Sequence, residues 1–294
     1  MSANAINLAV SQFSTNVELL LQEKGSKIRG RVMEGTHKGK QASPIDQIGS
    51  VEAQTPAGRF APIGRQDASV RRPWVFPIDK DLPQLFDHFD DLRLISDPKS
   101  KYVENAGYAF GRAWDNEIVR AAFATAYIGE TGSSTEVFDT AYSIAAGFDA
   151  AGEVGLTVSK LIEAKRLFAT ANVDADEQFT CIIGPAQEAD LLKQAQVTSS
   201  DFNKNGGVLN DGKVARFMGF DLVVSNRLGL TSSDNRDVIA FAKSGMYLGI
   251  WQDLYNDVDQ RKDLSGHPWQ LYTLATFGAT RTQNGKVVRI YCDE

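Results

Sequence analysis

The chain has 294 residues, 43% hydrophobic and 23% charged, with a formal net charge of −6. That length buries a sizeable core in one large domain or two small ones, and the composition excludes a disordered chain. The mild acidity argues against general nucleic-acid binding through net charge, and the apolar runs fall far short of the roughly 20 residues that span a bilayer.

The start, MSANAINLAVSQFSTNVELL, lacks a basic region before its apolar block and a small-residue cleavage site, so it does not read as a signal peptide. Two cysteines, Cys181 and Cys292, imply no disulfide framework, and a reducing cytoplasm is the expectation. Leu8, Phe13, Val17, Leu20 and Leu21 recur at helical spacing and predict an amphipathic helix over 5–23, ended by Gly25. A basic stretch, KGSKIRGRV, follows. Six of the nine prolines then lie between Pro44 and Pro83, which rules out a continuous helix there. Residues 47–72 offer only Ile48, Val51, Phe60, Ile63 and Val70 as larger apolar side chains, too few for a core. Such a segment is functional, disordered, or an arm that folds against a neighbouring copy. Short strands paired as a hairpin fit it, and Arg59, Arg65, Arg71 and Arg72 against Glu52 and Asp67 make it locally basic. Trp74, Val75, Phe76 and Ile78 read as a strand returning to the body.

A long helix is predicted over 98–127, about 45 Å at 1.5 Å per residue. Asp97 suits its N-cap and Pro98 its first turn. Val103, Ala106, Phe110, Ala113, Trp114, Ile118 and Ala121 mark one face, and Lys101, Glu104, Arg112, Asp115 and Arg120 the other. The stretch 129–135 (GETGSST) breaks this pattern, and 136–155 is irregular and rich in small residues. A second helix follows Thr157 to about Ala171, with Val158, Leu161, Ile162, Leu167 and Phe168 inward. Phe179, Cys181 and Ile183 form a strand, Gly184-Pro185 opens a helix through Leu192, and 195–213 is loop-like. A strand pair follows, with Phe217 and Met218 before Gly219 and Phe220, Leu222, Val223 and Val224 after it, and more strands lie at 238–242, 246–251 and 269–280. The terminal 286–292 would pair across the Asn284-Gly285 turn. The class is α+β with mainly antiparallel strands.

Chemical motifs are near misses. GVLNDGKV at 207–214 has Val214 where a phosphate-binding loop needs Ser or Thr, and a strand follows it where a helix is required. DFNKNG at 201–206 resembles half a calcium loop, but Gly212 stands at the position of the bidentate Glu. His37, His88 and His267 are far apart, and Cys181 sits on an apolar strand as a buried thiol would. Asp87, Asp90 and Asp91 form an acidic cluster that fits a solvated face or an arginine partner better than acid–base machinery. No catalytic constellation, cofactor motif or metal motif emerges, so a non-enzymatic role is expected. An enzyme with a scattered site is the lesser alternative.

Three segments carry a family resemblance: LLQEKGSKIRGRV with the arm up to RRPWVFPIDKDLP; DPKSKYVENAGYAFGRAWDNEIVRAAFATAYIGETG; and FTCIIGPAQEADLLKQ with GKVARFMGFDLVVSNRLG. Together they resemble the major capsid protein of tailed bacteriophages, the Hong Kong 97-like fold, in its short-tailed phage group. Gly219-Phe220 before an apolar strand and the exit Ser225-Asn226-Arg227-Leu228 fit that pattern. The resemblance implies an N-terminal arm (1–32), an extended loop or E-loop (33–78), a peripheral domain with its spine helix (79–155), an axial domain (156–255) and C-terminal strands returning to the peripheral domain (256–294). It implies pentamers and hexamers in an icosahedral shell around double-stranded DNA, assembled in the host bacterial cytoplasm. A separate scaffolding protein, a portal and a decoration protein are the implied partners. An encapsulin-type compartment shell is the alternative within the same fold. On this reading Arg59, Arg65, Arg71 and Arg72 meet Asp87, Asp90, Asp91, Glu104 or Glu117 of adjacent subunits.

Overall fold

The structure, a computed structural model, describes residues 22–39, 46–55, 58–59, 64–86, 99–194, 197, 209–210, 213–231 and 235–294. Nearly all of the helix expected over 5–23, the caps Asp97 and Pro98 and the stretch 201–206 lie outside these residues. The chain divides into two compact units. One comprises residues 1–26, 79–113 and 252–276, the other 27–78, 114–251 and 277–294.

Five strands come first: β1 (Met33–Thr36), β2 (Gln47–Ile48), β3 (Val70–Arg71), β4 (Pro73–Trp74) and β5 (Ile78–Phe86). β2 and β3 pair antiparallel, Gln47 opposite Arg71 and Ile48 opposite Val70, so the proline-rich segment is closed at its base as a hairpin.

Helix α1 (Lys99–Phe123) carries the expected stripe, with Ala106, Phe110, Trp114, Ile118 and Ala121 all buried. Asp115 corrects the expected polar face. It is 2% exposed, and its carboxylate accepts from the backbone N–H groups of Lys27 (2.9 Å) and Ile28 (3.3 Å). A charged acceptor here satisfies two donors of an irregular segment, which removes the cost of burying them bare. The helix also stops earlier than expected. Ala126–Ile128 is strand β6, pairing with β4 and with β7 (Ser134–Glu136). Gly129 (φ 97°) and Gly132 (φ 71°) supply the left-handed positions of the β6–β7 return.

The next elements are β8 (Ser143–Ile144), α2 (Val158–Thr170), β9 (Phe179–Ile183) and α3 (Pro185–Leu192). Thr157 caps α2, its hydroxyl accepting from Lys160 N (3.3 Å). The inward stripe is Val158, Leu161, Ala164 and Phe168, whereas Ile162, expected inside, is 50% exposed. Lys160 is fully buried. Its ammonium donates to the carbonyls of Val154 (2.7 Å), Gly155 (2.8 Å) and Tyr291 (3.0 Å), and burial holds its pKa below the usual lysine range.

β10 (Leu209–Asn210) and β11 (Lys213–Val214) pair antiparallel, so the phosphate-loop-like stretch ends in a strand. β12 (Arg216–Phe217) turns into β13 (Phe220–Val224) through Met218 (φ 54°) and Gly219 (φ 88°), the two positive φ values that a type I′ turn requires. β14 (Arg236–Ala242), β15 (Met246–Gln260), β16 (Trp269–Arg281) and β17 (Val287–Cys292) complete the chain. Six strands form one sheet in the order β12-β13-β9-β14-β17-β8, and a four-stranded sheet runs β1-β15-β16-β5. Among the described pairs β1–β15, β9–β13 and β8–β17 are parallel and the others antiparallel.

The terminal strand differs from expectation. Asn284–Lys286 is a 3-10 turn, and β17 pairs with β14 and β8, not back across that turn with β16. Val287, Val288, Ile290 and Cys292 are fully buried. A strand apolar on both faces belongs between two neighbours, which an edge hairpin position does not supply.

In the first unit, Gly111 lies flush against the backbone of Gly25 and Ser26, and Arg112 donates to Gln22 Oε1 (2.7 Å) and the Glu23 carbonyl (3.1 Å). Thr276 donates to Asp79 (2.7 Å) and Thr273 to Asn256 (2.8 Å), tying β16 to β5 and β15.

Replacing Asp115 by Ala strands the Lys27 and Ile28 donors and should cost about 1–3 kcal/mol. Thermal denaturation should show a clearly lowered midpoint for D115A and almost none for N116A, its exposed neighbour.

Candidate assembly surface at the arm root

Among the arm's described residues, the larger apolar side chains face solvent: Ile48 is 75% exposed, Val51 59% and Val70 70%. Its base, in contrast, is tightly held. Arg71 Nη1 donates to the Thr282 carbonyl (2.6 Å), and Nη2 pairs with the Glu136 carboxylate. The other Glu136 oxygen accepts from Asn284 Nδ2 (2.6 Å). Arg72 grips Asp46 with Nε and Nη2 at 2.5 and 2.7 Å, which joins the two legs of the hairpin and raises the Arg72 pKa. Gln283 Nε2 donates to Gln47 Oε1 (3.1 Å), holding the other leg. Trp74 Nε1 donates to the Gly129 carbonyl (2.6 Å), fixing the start of the returning strand on the β6–β7 turn.

Beside this root lies a cleft of about 490 Å³ whose lining includes Trp74, Phe76, Tyr127, Glu117, Arg120 and Thr280. Phe76 and Tyr127 meet edge to face at 5.0 Å and stay 38% and 43% exposed. Glu117 is buried and chelated by Arg120, with one hydrogen bond of 2.9 Å.

The remaining predicted contact residues are dispersed. Arg59 is exposed, and Arg65 pairs with Asp67 at 2.8 Å on the surface. Glu104 accepts from Tyr108 (2.6 Å) and Lys101 (2.9 Å), which holds its pKa below the ordinary glutamate value. Asp87, Asp90 and Asp91 lie outside the described residues. Among the described residues, the structure brings Arg71 and Arg72 together at the root, with Glu117 in the cleft beside it. Sequence reasoning missed Glu136 and Asn284, because one fell in an irregular stretch and the other read as a turn residue.

Among the described residues, no group of His, Cys, Asp and Glu is placed to hold a metal ion, and no helix is long and apolar enough to cross a membrane. His37 packs between Tyr247 and Trp251, its Nε2 2.7 Å from the Tyr247 hydroxyl. Cys181 and Cys292 are both fully buried. Burial pushes the Cys181 thiol far up and that of Cys292 up to about 12, so neither is a nucleophile in the folded chain.

A six-stranded sheet, a long helix and an anchored, poorly covered arm define a phage-capsid type of subunit fold. The same fold is seen in the capsid of cyanophage P-SCSP1u, at 16% identity and TM-score 0.75, covering 97% of this chain and 93% of that one. Cyanophage Pam1 capsid matches at 13% identity and TM-score 0.74, covering 98% and 97%. The capsid of Ralstonia phage GP4 matches at 11% identity and TM-score 0.73, covering 98% and 96%. The chain belongs to the phage capsid protein family, whose family model matches residues 5–294. No curated protein matches it.

Both thiols should stay unmodified by a chromogenic thiol reagent near pH 8 and react in full once the chain is denatured. Rapid native-state reaction of either would contradict the burial seen here.

Proposed function

We propose that the chain is the major capsid protein of a tailed phage, a structural subunit without catalysis that assembles as pentamers and hexamers of an icosahedral shell around double-stranded DNA. One observation carries this reading beyond family membership: the arm exposes Ile48, Val51 and Val70 while being fastened firmly at its root. A two-stranded hairpin is marginal alone in water, and its apolar surface calls for a neighbouring subunit to cover it.

In this assignment residues 1–32 are the N-terminal arm, 33–78 the E-loop, 79–155 the peripheral domain, 156–255 the axial domain and 256–294 the strands returning to the peripheral domain. The arm of one subunit lies on the next. Arg59 and Arg65 then approach acidic surface such as Asp87, Asp90, Asp91 or Glu104 of that neighbour, while Arg71 and Arg72 serve at their own root. Glu117 contributes through the cleft beside that root. Each exposed pair is weak, but heterologous contacts repeat around a ring until it closes. A separate scaffolding protein, a portal and a decoration protein complete the particle, which forms in the host cytoplasm.

Electron microscopy of the expressed chain should show shells or capsomers. Deleting residues 49–69 should leave a soluble body with unchanged near-ultraviolet circular dichroism and abolish those assemblies. A full-length chain that stays monomeric with its arm protected from protease under assembly conditions would sink the proposal.

A further inference from the structure

The arm root contains a side-chain arrangement that its stability alone does not explain. Arg71 and Glu136 keep 26% and 27% of their side-chain surface exposed, so their pairing fills no core position. Yet the pair draws together three separate parts of the chain. Arg71 lies on β3, Glu136 ends β7, and Thr282 and Asn284 lie in the connection from β16 to β17. Each guanidinium hydrogen bond has a different backbone or side-chain partner, and each carboxylate oxygen has a different donor. Such a fork fixes direction as well as distance, which a point charge or an apolar contact does not. Gln283 holds the second leg through Gln47, and Arg72 with Asp46 locks the legs to one another. The hairpin therefore leaves the body as one piece whose angle is set at Glu136.

Leverage makes that angle consequential. An extended leg of about ten residues spans roughly 30 Å. A tilt of about 10° at its base then moves its end by roughly 5 Å, more than the length of a hydrogen bond. We infer that the Arg71–Glu136–Asn284 clamp positions the arm for the neighbouring copy of this chain and so sets the uniformity of shell curvature. The inference rests on the shell reading above. In it these three are positioning residues that touch no partner themselves.

The test compares full-length R71Q, R71K, E136Q, N284A and the R71Q/E136Q double variant with the parent under conditions in which the parent assembles. Shell diameters are measured by electron microscopy and subunit stability by thermal denaturation. Each single variant should at least double the spread of diameters or yield open, irregular sheets, with a thermal midpoint close to the parent's. R71K should resemble R71Q, because it keeps the charge and loses the fork. The double variant should be no worse than either single one, because both residues act through one contact. Uniform shells from R71Q and E136Q, or rescue by R71K, would overturn the inference. Should E136Q fail to fold, N284A decides, since it removes one pin and leaves both charges, and parent-like shells from it count equally against the clamp. A parent that forms neither shells nor capsomers counts against the shell reading instead.

Discussion

Arg281 ends β16 with its side chain 1% exposed, and its guanidinium reaches three carbonyls on two other elements. Nη1 donates to Ala122 (2.7 Å) and Ala124 (3.0 Å), and Nη2 to the backbone of Glu136 (3.4 Å), with the group 5.2 Å over the Phe138 ring. The last carbonyls of a helix have no partner within it, and a cation at that end is also favoured by the helix dipole. One buried arginine thus terminates α1, seats β7 and anchors β16. Burial pushes its pKa down to about 10, which still leaves it charged at neutral pH. Because Glu136 belongs to the strand that Arg281 seats, the root of the arm inherits its placement from a buried residue more than 200 positions further along the chain.

The same sequence that builds this rigid seat withholds a core from the segment it holds. Large apolar residues are plentiful in the six-stranded sheet, where Ile182, Val238, Phe241, Val287 and Ile290 pack fully buried. Between β2 and β3 they are few, and those described face solvent. On the proposed reading, a subunit divided in this way has its folding free energy in one place and its association surface in another. Shell formation then need not disturb the core, and damage to the arm need not unfold the subunit.

Local signals were readable where the chemistry was local. Thr157 before an apolar stripe announced α2, and Gly219 between apolar runs announced the β12–β13 turn, although Met218, which reads as strand, lies in that turn. The hairpin expected in the proline-rich arm is closed at its base by β2 and β3. What escaped were contacts between residues far apart in sequence. Asp115 has the helical position of a solvated residue, and only the return of Lys27 and Ile28 to it, nearly ninety positions away, makes it a buried acceptor. Asn284-Gly285 is a strong hairpin signal in isolation, but β17 finds better cover between β14 and β8. Ile162 reads as core by type, yet the buried stripe of α2 runs through Leu161 and Ala164, one side over. The clamp was illegible for the same reason, since Arg71, Glu136 and Asn284 share no local pattern.

The charges at the arm root refine how association is driven. Arg65, Arg71 and Arg72 already have carboxylate partners within the subunit. Moving any of them onto a neighbour's carboxylate exchanges one ion pair for another and gains little. The exposed Ile48, Val51 and Val70 have no such internal alternative, and covering apolar surface stabilises by about 25 cal/mol per Å² removed from water. If copies associate as proposed, affinity between them falls to the apolar residues, while Arg71 and Arg72 fix the geometry of the arm root. In the proposed shell, an arm built this way would bind weakly at any single site, and a closed ring of copies would turn that weak binding into a stable particle without demanding a large interface from any one pair.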